Sequence, residues 1–295
     1  MHFLSKENVC YSMSGDHKPV IHINSDDLVH VETEDCYSGQ LKSSTDQFTK
    51  DMWDTVNPAT GPIFVADAQP GMVLRVEIIE IKTRDYAVMC IEHGAGALGE
   101  FIDGVETSIL PIKDGFLTLS DNLIVPIRPM IGVIGTAPPE SAILNGTPGE
   151  HGGNMDCQLI TAGSVVYLPV NVKGALLSLG DLHAVMADGE VCICGAEVAG
   201  EVTLKISVLD KPMPTPYVET ETHLNIIGSA FTLDECERLV LAKTHRFLTE
   251  SGGMTANEAA RTMSLLCDLC VCQVVDPLKT MRVSIPKIIL NDDLL

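Results

Sequence analysis

Short runs of alternating apolar and polar residues dominate the first two hundred positions. The clearest runs from Glu197 to Val208. Glu197, Ala199, Glu201, Thr203, Lys205 and Ser207 fall on one face, and Val198, Gly200, Val202, Leu204, Ile206 and Val208 on the other. That two-residue period predicts a half-buried strand. Pro70-Gly71 predicts a turn into a strand from Met72 to Ile81,. Val165–Val170 and Ala175–Leu179 read as shorter buried strands. Strand signals this dense, punctuated by Gly and Pro, predict a sandwich or barrel rather than alternating βα units.

The pattern turns helical in the last quarter. Thr232-Leu-Asp-Glu235 and Thr255-Ala-Asn-Glu258 both carry the spacing of a capping box,. The first predicted helix runs toward Thr249 and ends at Gly252-Gly253; the second runs to about Val275 and stops at Pro277,. The expected fold is mainly β (β-rich α+β): a sandwich- or barrel-like core over 1–211, with a helical hairpin and closing strand over 212–295 packed on it. Pro212, Pro214 and Pro216 mark the division. A single domain is the alternative.

Composition narrows the function. The 295 residues are 45% hydrophobic and 20% charged, as in a globular chain with a core,. Lys+Arg number 19 against 40 Asp+Glu, a formal charge of -21. This argues against nucleic acid and anionic membranes as partners, since phosphate binding needs basic surface. It favours neutral or cationic ligands and leaves carboxylates for metal ions. The ten cysteines are not spaced as a secreted disulfide framework,. Met1 to Cys10 carries Lys6 and Glu7, and no apolar run approaches a membrane span,. A soluble cytoplasmic protein with reduced thiols is expected. With 4% aromatics and one Trp, stacking platforms for bases or sugars are not expected,.

Two segments could carry chemistry. In Glu150-His-Gly-Gly-Asn-Met-Asp156, the bend at Gly152-Gly153 would let His151, Asn154 and Asp156 converge,; the plainer reading is a surface turn. In Gly180-Asp-Leu-His-Ala-Val-Met-Ala-Asp-Gly-Glu190, Asp181 and His183 share a strand face, and a hairpin at Asp188-Gly189 would return Glu190 to them,. Imidazole plus carboxylates suits catalytic zinc; the plainer reading is a satisfied strand histidine beside an acidic turn. Glu197 and Glu201 could support such a site or simply be solvated. Glu32-Thr-Glu-Asp35 is a third acidic knot, exposed by default.

Cys192 and Cys194 would share a strand face, and Cys267, Cys270 and Cys272 would lie on the second helix; core packing is the default for such thiols,. No G-x-S-x-G elbow or P-loop occurs, and Gly94-Ala-Gly96-Ala-Leu-Gly99 lacks a helical continuation,. It reads as a loop bordering a site.

These segments sit within a longer likeness. Asn57-Pro-Ala-Thr-Gly-Pro62, Ala68-Gln-Pro-Gly-Met72, Pro129-Met-Ile-Gly-Val-Ile-Gly-Thr-Ala-Pro138, the two candidate blocks and Gly253-Met-Thr-Ala-Asn-Glu-Ala-Ala260 together resemble the acetamidase/formamidase family. The resemblance implies a β-rich homo-oligomer that hydrolyses short aliphatic amides to carboxylate and ammonia with a metal ion. It implies a site drawn from Glu32, Asp35, His151, Asn154, Asp156, Asp181, His183 and Glu190. The stretch before Pro19 matches loosely, and Ala187 departs from a glycine-rich pattern.

On this basis a divalent ion, zinc by donor type, is expected on Asp156 and His183, completed by Glu32, Asp35 or Asp181, with room for a second ion such as calcium. Glu190 is the expected general base, and Asn154 and the N–H groups near Gly152-Gly153 the expected oxyanion donors, with His151 beside them. Gly94 and Gly96 border the pocket. The rivals are an amidase using a nucleophilic cysteine with His93 or His151 as base, and a non-catalytic binder of a small molecule or ion.

Overall fold

The alternation seen in the sequence builds two large sheets that share one core. The computed structural model describes residues 1–211 and 213–290; Pro212 of the expected hinge and the final five residues lie outside them. Among the described residues one sheet has nine strands, in the order His2–Leu4, Asp27–Thr33, Gly200–Leu209, Val73–Thr83, Val165–Pro169, Tyr217–Glu219, His223–Ala230, Lys279–Pro286 and Asp268–Gln273. The other has eleven. Its main path runs Leu123–Pro126, Phe116–Ser120, Val105–Lys113, Tyr86–Glu92, Glu197–Val198, Leu177–His183, Met130–Gly135 and Gly152–Asn154. Ala59–Val65 joins it by pairing with Leu177–His183.

Val29, Val31, Val76, Ile78, Val202, Leu204 and Ile206 from the first sheet meet Ile63, Ile131, Ile134, Leu179 and Leu182 from the second in one buried cluster. This is the expected sandwich, with apolar faces inward and polar faces outward. The nine-stranded sheet draws strands from both sides of the expected division, because Val165–Pro169 pairs with Tyr217–Glu219.

Helix Leu233–Arg246 begins as predicted. Thr232 Oγ1 accepts from the Glu235 N–H, and the Thr232 N–H donates to Glu235 Oε2. Helix Ala256–Leu266 begins with the same reciprocal pair between Thr255 and Glu258. Cys236, Val240, Phe247 and Leu248 pack against Ile226, Val283 and Ile285 of the far half of the nine-stranded sheet.

Three expectations change. The second helix stops at Leu266 instead of Val275, and Asp268–Gln273 is an edge strand paired with Lys279–Pro286. Cys270 and Cys272 therefore sit on a strand. Short apolar runs do not distinguish helix from strand by period alone, and here sheet pairing wins. The strand from Glu197 is also two strands. Glu197–Val198 pairs with Leu182 and His183 in the eleven-stranded sheet, whereas Gly200–Leu209 lies in the other. At the crossing, a Cβ on Gly200 would meet the Lys82 carbonyl at 2.3 Å, so only glycine fits,. Finally, 184–196 is a loop and not a returning strand, so Cys192 and Cys194 share no strand face.

Candidate active site

The site gathers where the eleven-stranded sheet turns polar groups inward. His183 ends strand Leu177–His183, with Met130 opposite on one side and Glu197 on the other. Its Nε2 lies 3.2 Å from Glu197 Oε2, 3.6 Å from Asp181 Oδ1 and 3.9 Å from Asp156 Oδ1. Nδ1 faces Met186 Sδ at 3.3 Å. The imidazole and the Asp156 side chain are each only 1% exposed.

Backbone geometry makes this convergence. Asp156, Asp181 and Glu190 have φ of 41°, 57° and 49°. Residues other than glycine seldom occupy that region, and such strain concentrates at functional sites. Two glycines open the space. A Cβ on Gly132 would meet Asp156 Oδ1 at 2.6 Å and Asp181 Oδ2 at 2.7 Å; one on Gly195 would meet His183 Nδ1 at 2.7 Å.

The C-terminal region closes the arrangement. The Gly189 N–H donates to the Cys272 carbonyl, and the Val274 N–H to the Gly189 carbonyl. Arg282 grips Asp188 through both Nη atoms, at 2.9 and 2.7 Å. These bonds hold the loop that carries Glu190 and bring Asp276 against Asn154, whose Nδ2 donates to Asp276 Oδ2 at 3.0 Å.

The electrostatics are those of acids crowded in a buried site. Burial, then neighbouring Asp156, pushes the Glu190 carboxyl well up, and the same two causes push up Asp276,. Burial raises Asp156 to about 6 and Glu197 to about 8, against the pull of His183. Burial lowers the His183 pKa, but Glu197 and Asp181 outweigh it and hold the ring well above the ordinary histidine range. Oδ1 and Oδ2 of Asp156, Oδ1 of Asp181, Oε2 of Glu190 and Oε2 of Glu197 are buried without hydrogen-bond partners. Unpaired buried carboxylate oxygens are costly and call for a proton or a cation. Among the described residues, two donor groups are compact enough for a metal ion, Asp156 with His183 and Glu190, and Cys36 with Asp181 and Glu197. The residues thus fit a divalent ion by chemistry and by their unsatisfied oxygens.

A cavity of about 650 Å³ opens onto this cluster. Asn145, Asn154, Asp181, Glu190, Glu197 and Asp276 form its polar wall, and Tyr37, Phe48, Trp53 and Val56 part of its apolar one.

The structure brings together Asp156, Asp181, His183, Glu190 and Asn154 and separates the rest. Glu32 stands opposite Glu201 on strand Asp27–Thr33, away from the cavity lining. Asp35 accepts from the Tyr37 and Gly39 N–H groups, capping the turn that presents Cys36. His151 is buried with Nε2 unpartnered, and burial lowers its pKa to about 4. Gly152 and Gly153 serve close packing: a Cβ on Gly152 would meet the Ile134 carbonyl at 2.3 Å, and one on Gly153 the Thr147 carbonyl at 2.5 Å. Of the Gly94–Gly99 loop, Ala95 lines the cavity and Gly94 and Gly96 do not; the loop is tied by the Ala97 and Leu98 N–H groups to the Val191 carbonyl.

Nothing in the sequence marks Cys36 or Asp276, and the alternation puts Glu197 on the same strand face as Glu201, where supporting the site and facing solvent stay equally open. Asp276 was hidden behind the supposed helix end at Pro277. A usable signal for Glu197 was Gly200, where an otherwise regular strand can change sheets.

The chain as a whole is similar to known proteins. Residues 11–146 and 140–263 match the model of the Acetamidase/Formamidase family, so the chain belongs to that family. It is similar to the acetamidase of Bacillus halodurans, with a TM-score of 0.95 and 44% identity over 97% of both chains. It is also similar to the acetamidase of Yersinia enterocolitica, with a TM-score of 0.92 and 26% identity over 99% of this chain and 93% of that one. The formamidase of Methylophilus methylotrophus is 49% identical over 63 residues, covering 21% of this chain and 16% of that protein. Against a relative from Schizosaccharomyces pombe, the chain spans 60% of that protein's length at 28% identity. Among the described residues no helix is long and apolar enough to cross a membrane.

Proposed function

We propose that this chain is an amidohydrolase that cleaves the C–N bond of short linear amides such as formamide and acetamide, giving carboxylate and ammonia. The observation that carries the reading is the convergence of His183, Asp156, Asp181, Glu190 and Glu197 with unsatisfied oxygens at the end of a cavity. The family and the acetamidase-like fold support it.

Asp156 and His183 would hold a divalent ion; zinc suits a set of imidazole and carboxylates,. When bound, such an ion polarises a carbonyl and lowers the pKa of water. Glu190 lines the cavity and carries the proton: it takes one from the attacking water and returns it to the leaving nitrogen,. Its raised affinity for a proton suits the second task, because ammonia leaves poorly unless protonated. Asp276 fixes Asn154 through the bond at 3.0 Å. Cys36, Asp181 and Glu197 would hold a second ion, and the thiol favours zinc there over calcium, which prefers oxygen,.

Self-association and a cytoplasmic location belong to the same reading. Phe116, Leu123 and Ile124 stand exposed on the two outermost strands at one end of the eleven-stranded sheet, a surface suited to a second copy,. Against a cysteine nucleophile on the cavity wall, His93 is exposed with Nδ1 on the Ile102 carbonyl, and burial raises the Cys36 and Cys194 thiols that line the cavity instead of activating them,. Ammonia release from formamide and acetamide, before and after chelation, tests the proposal. Turnover that survives complete metal removal would contradict it.

A further inference from the structure

Asn145 lines the cavity, is 1% exposed, and lies outside every role assigned above. Its Nδ2 donates to the Cys10 carbonyl at 2.7 Å and to the Asn57 carbonyl at 2.8 Å. Both amide hydrogens are therefore spent on backbone acceptors, which fixes which end of the side chain is oxygen. That oxygen, Oδ1, is buried and accepts nothing. Leaving a buried acceptor unmet is unfavourable, so the position calls for a donor. Asn154 repeats the arrangement on the same cavity: Nδ2 donates to Asp276, and Oδ1 is buried and free. Asn145 is also linked to the acids, since Asn57 Nδ2 contacts Asp181 Oδ2 at 3.3 Å.

We propose that the carbonyl oxygens of Asn145 and Asn154 are acceptors for the N–H groups of a primary amide, so that the cavity selects substrates by their NH2 end. This rests on the amidase reading and sharpens it. A primary amide offers two N–H donors, whereas an ester or an N,N-dialkyl amide offers none. A site built to accept from N–H rejects an analogue without it, because its own buried oxygens stay unpaired.

The test compares acetamide with methyl acetate in the metal-loaded protein. In the unmodified protein, KM for methyl acetate is expected to be at least about tenfold above that for acetamide. In Asn145→Ala, kcat/KM for acetamide should fall about 100-fold while that for methyl acetate falls less than about threefold. A purely structural role, through the lost bonds to Cys10 and Asn57, would lower both substrates together and overturn the inference. Because that variant could fold poorly, the KM comparison in the unmodified protein stands as an independent measurement; equal KM values would also overturn it. Failure to release ammonia from any amide would instead overturn the amidase reading, and this inference with it.

Discussion

Two acidic clusters, one on each sheet, look alike in sequence and differ entirely in place. On the nine-stranded sheet Glu32 stands opposite Glu201, and Glu201 reaches His30 Nε2 at 3.3 Å with 47% of its side chain exposed. On the eleven-stranded sheet Asp156, Asp181 and Glu197 surround His183 in a buried cluster. The first cluster keeps regular strand alternation, which sends polar residues to water. The second breaks it with left-handed backbone at Asp156 and Asp181, a glycine gap at Gly132 and a change of sheet after Val198. Acids become a site where backbone irregularity turns them away from solvent and toward one point.

The largest effect expected from this contrast is at His183. His183→Ala should lower amide turnover about 1000-fold or more, with loss of metal measured by elemental analysis. Retained metal and turnover would dissolve the distinction between the clusters. Gly132→Ala comes next. Its Cβ would push into Asp156 Oδ1 and Asp181 Oδ2, and misplacement of about 1 Å can cost about 100-fold in rate. Steady-state kinetics on metal-loaded protein would read it, and a silent variant would mean the two carboxylates need no fixed spacing.

His151 tests burial without the acids. Its folded-state pKa, lowered to about 4 by burial, lies below the ordinary value of 6.5. The unfolded chain therefore binds the extra proton first as pH falls. The stability contribution is complete above pH 6.5, is lost progressively between 6.5 and 4, and amounts to about 3 kcal/mol,. His151→Asn should flatten that limb in denaturant titrations across pH; an unchanged slope would locate the acid sensitivity elsewhere. The smallest effect belongs to the solvated pair. Glu32→Gln should change stability by less than about 0.5 kcal/mol and leave ammonia release within about twofold. A collapse of activity there would restore Glu32 as a metal ligand.

Much of this was legible beforehand. The capping boxes at Thr232 and Thr255 start their helices as read, because cap bonds are local. The blocks holding Asn154, Asp156, Asp181, His183 and Glu190 stand out in the sequence, since their residue types announce metal and proton chemistry. The edge strand Asp268–Gln273 was not legible: its apolar spacing suits a helix equally, and the pairing with Lys279–Pro286 decides. Asp276 followed from that same error. Glu197 was misplaced because strict alternation assumes that one strand stays in one sheet.

Periodicity, caps and residue chemistry act over a few neighbouring positions, and the chain order alone therefore fixed the β-rich frame, both helix starts and the pool of candidate donors. Which acids lose their water was decided only by the folded molecule. Desolvation depends on what covers a side chain from distant segments, here the Cys36 turn, the Glu197 crossover and the Cys272–Asp276 stretch that meet around His183.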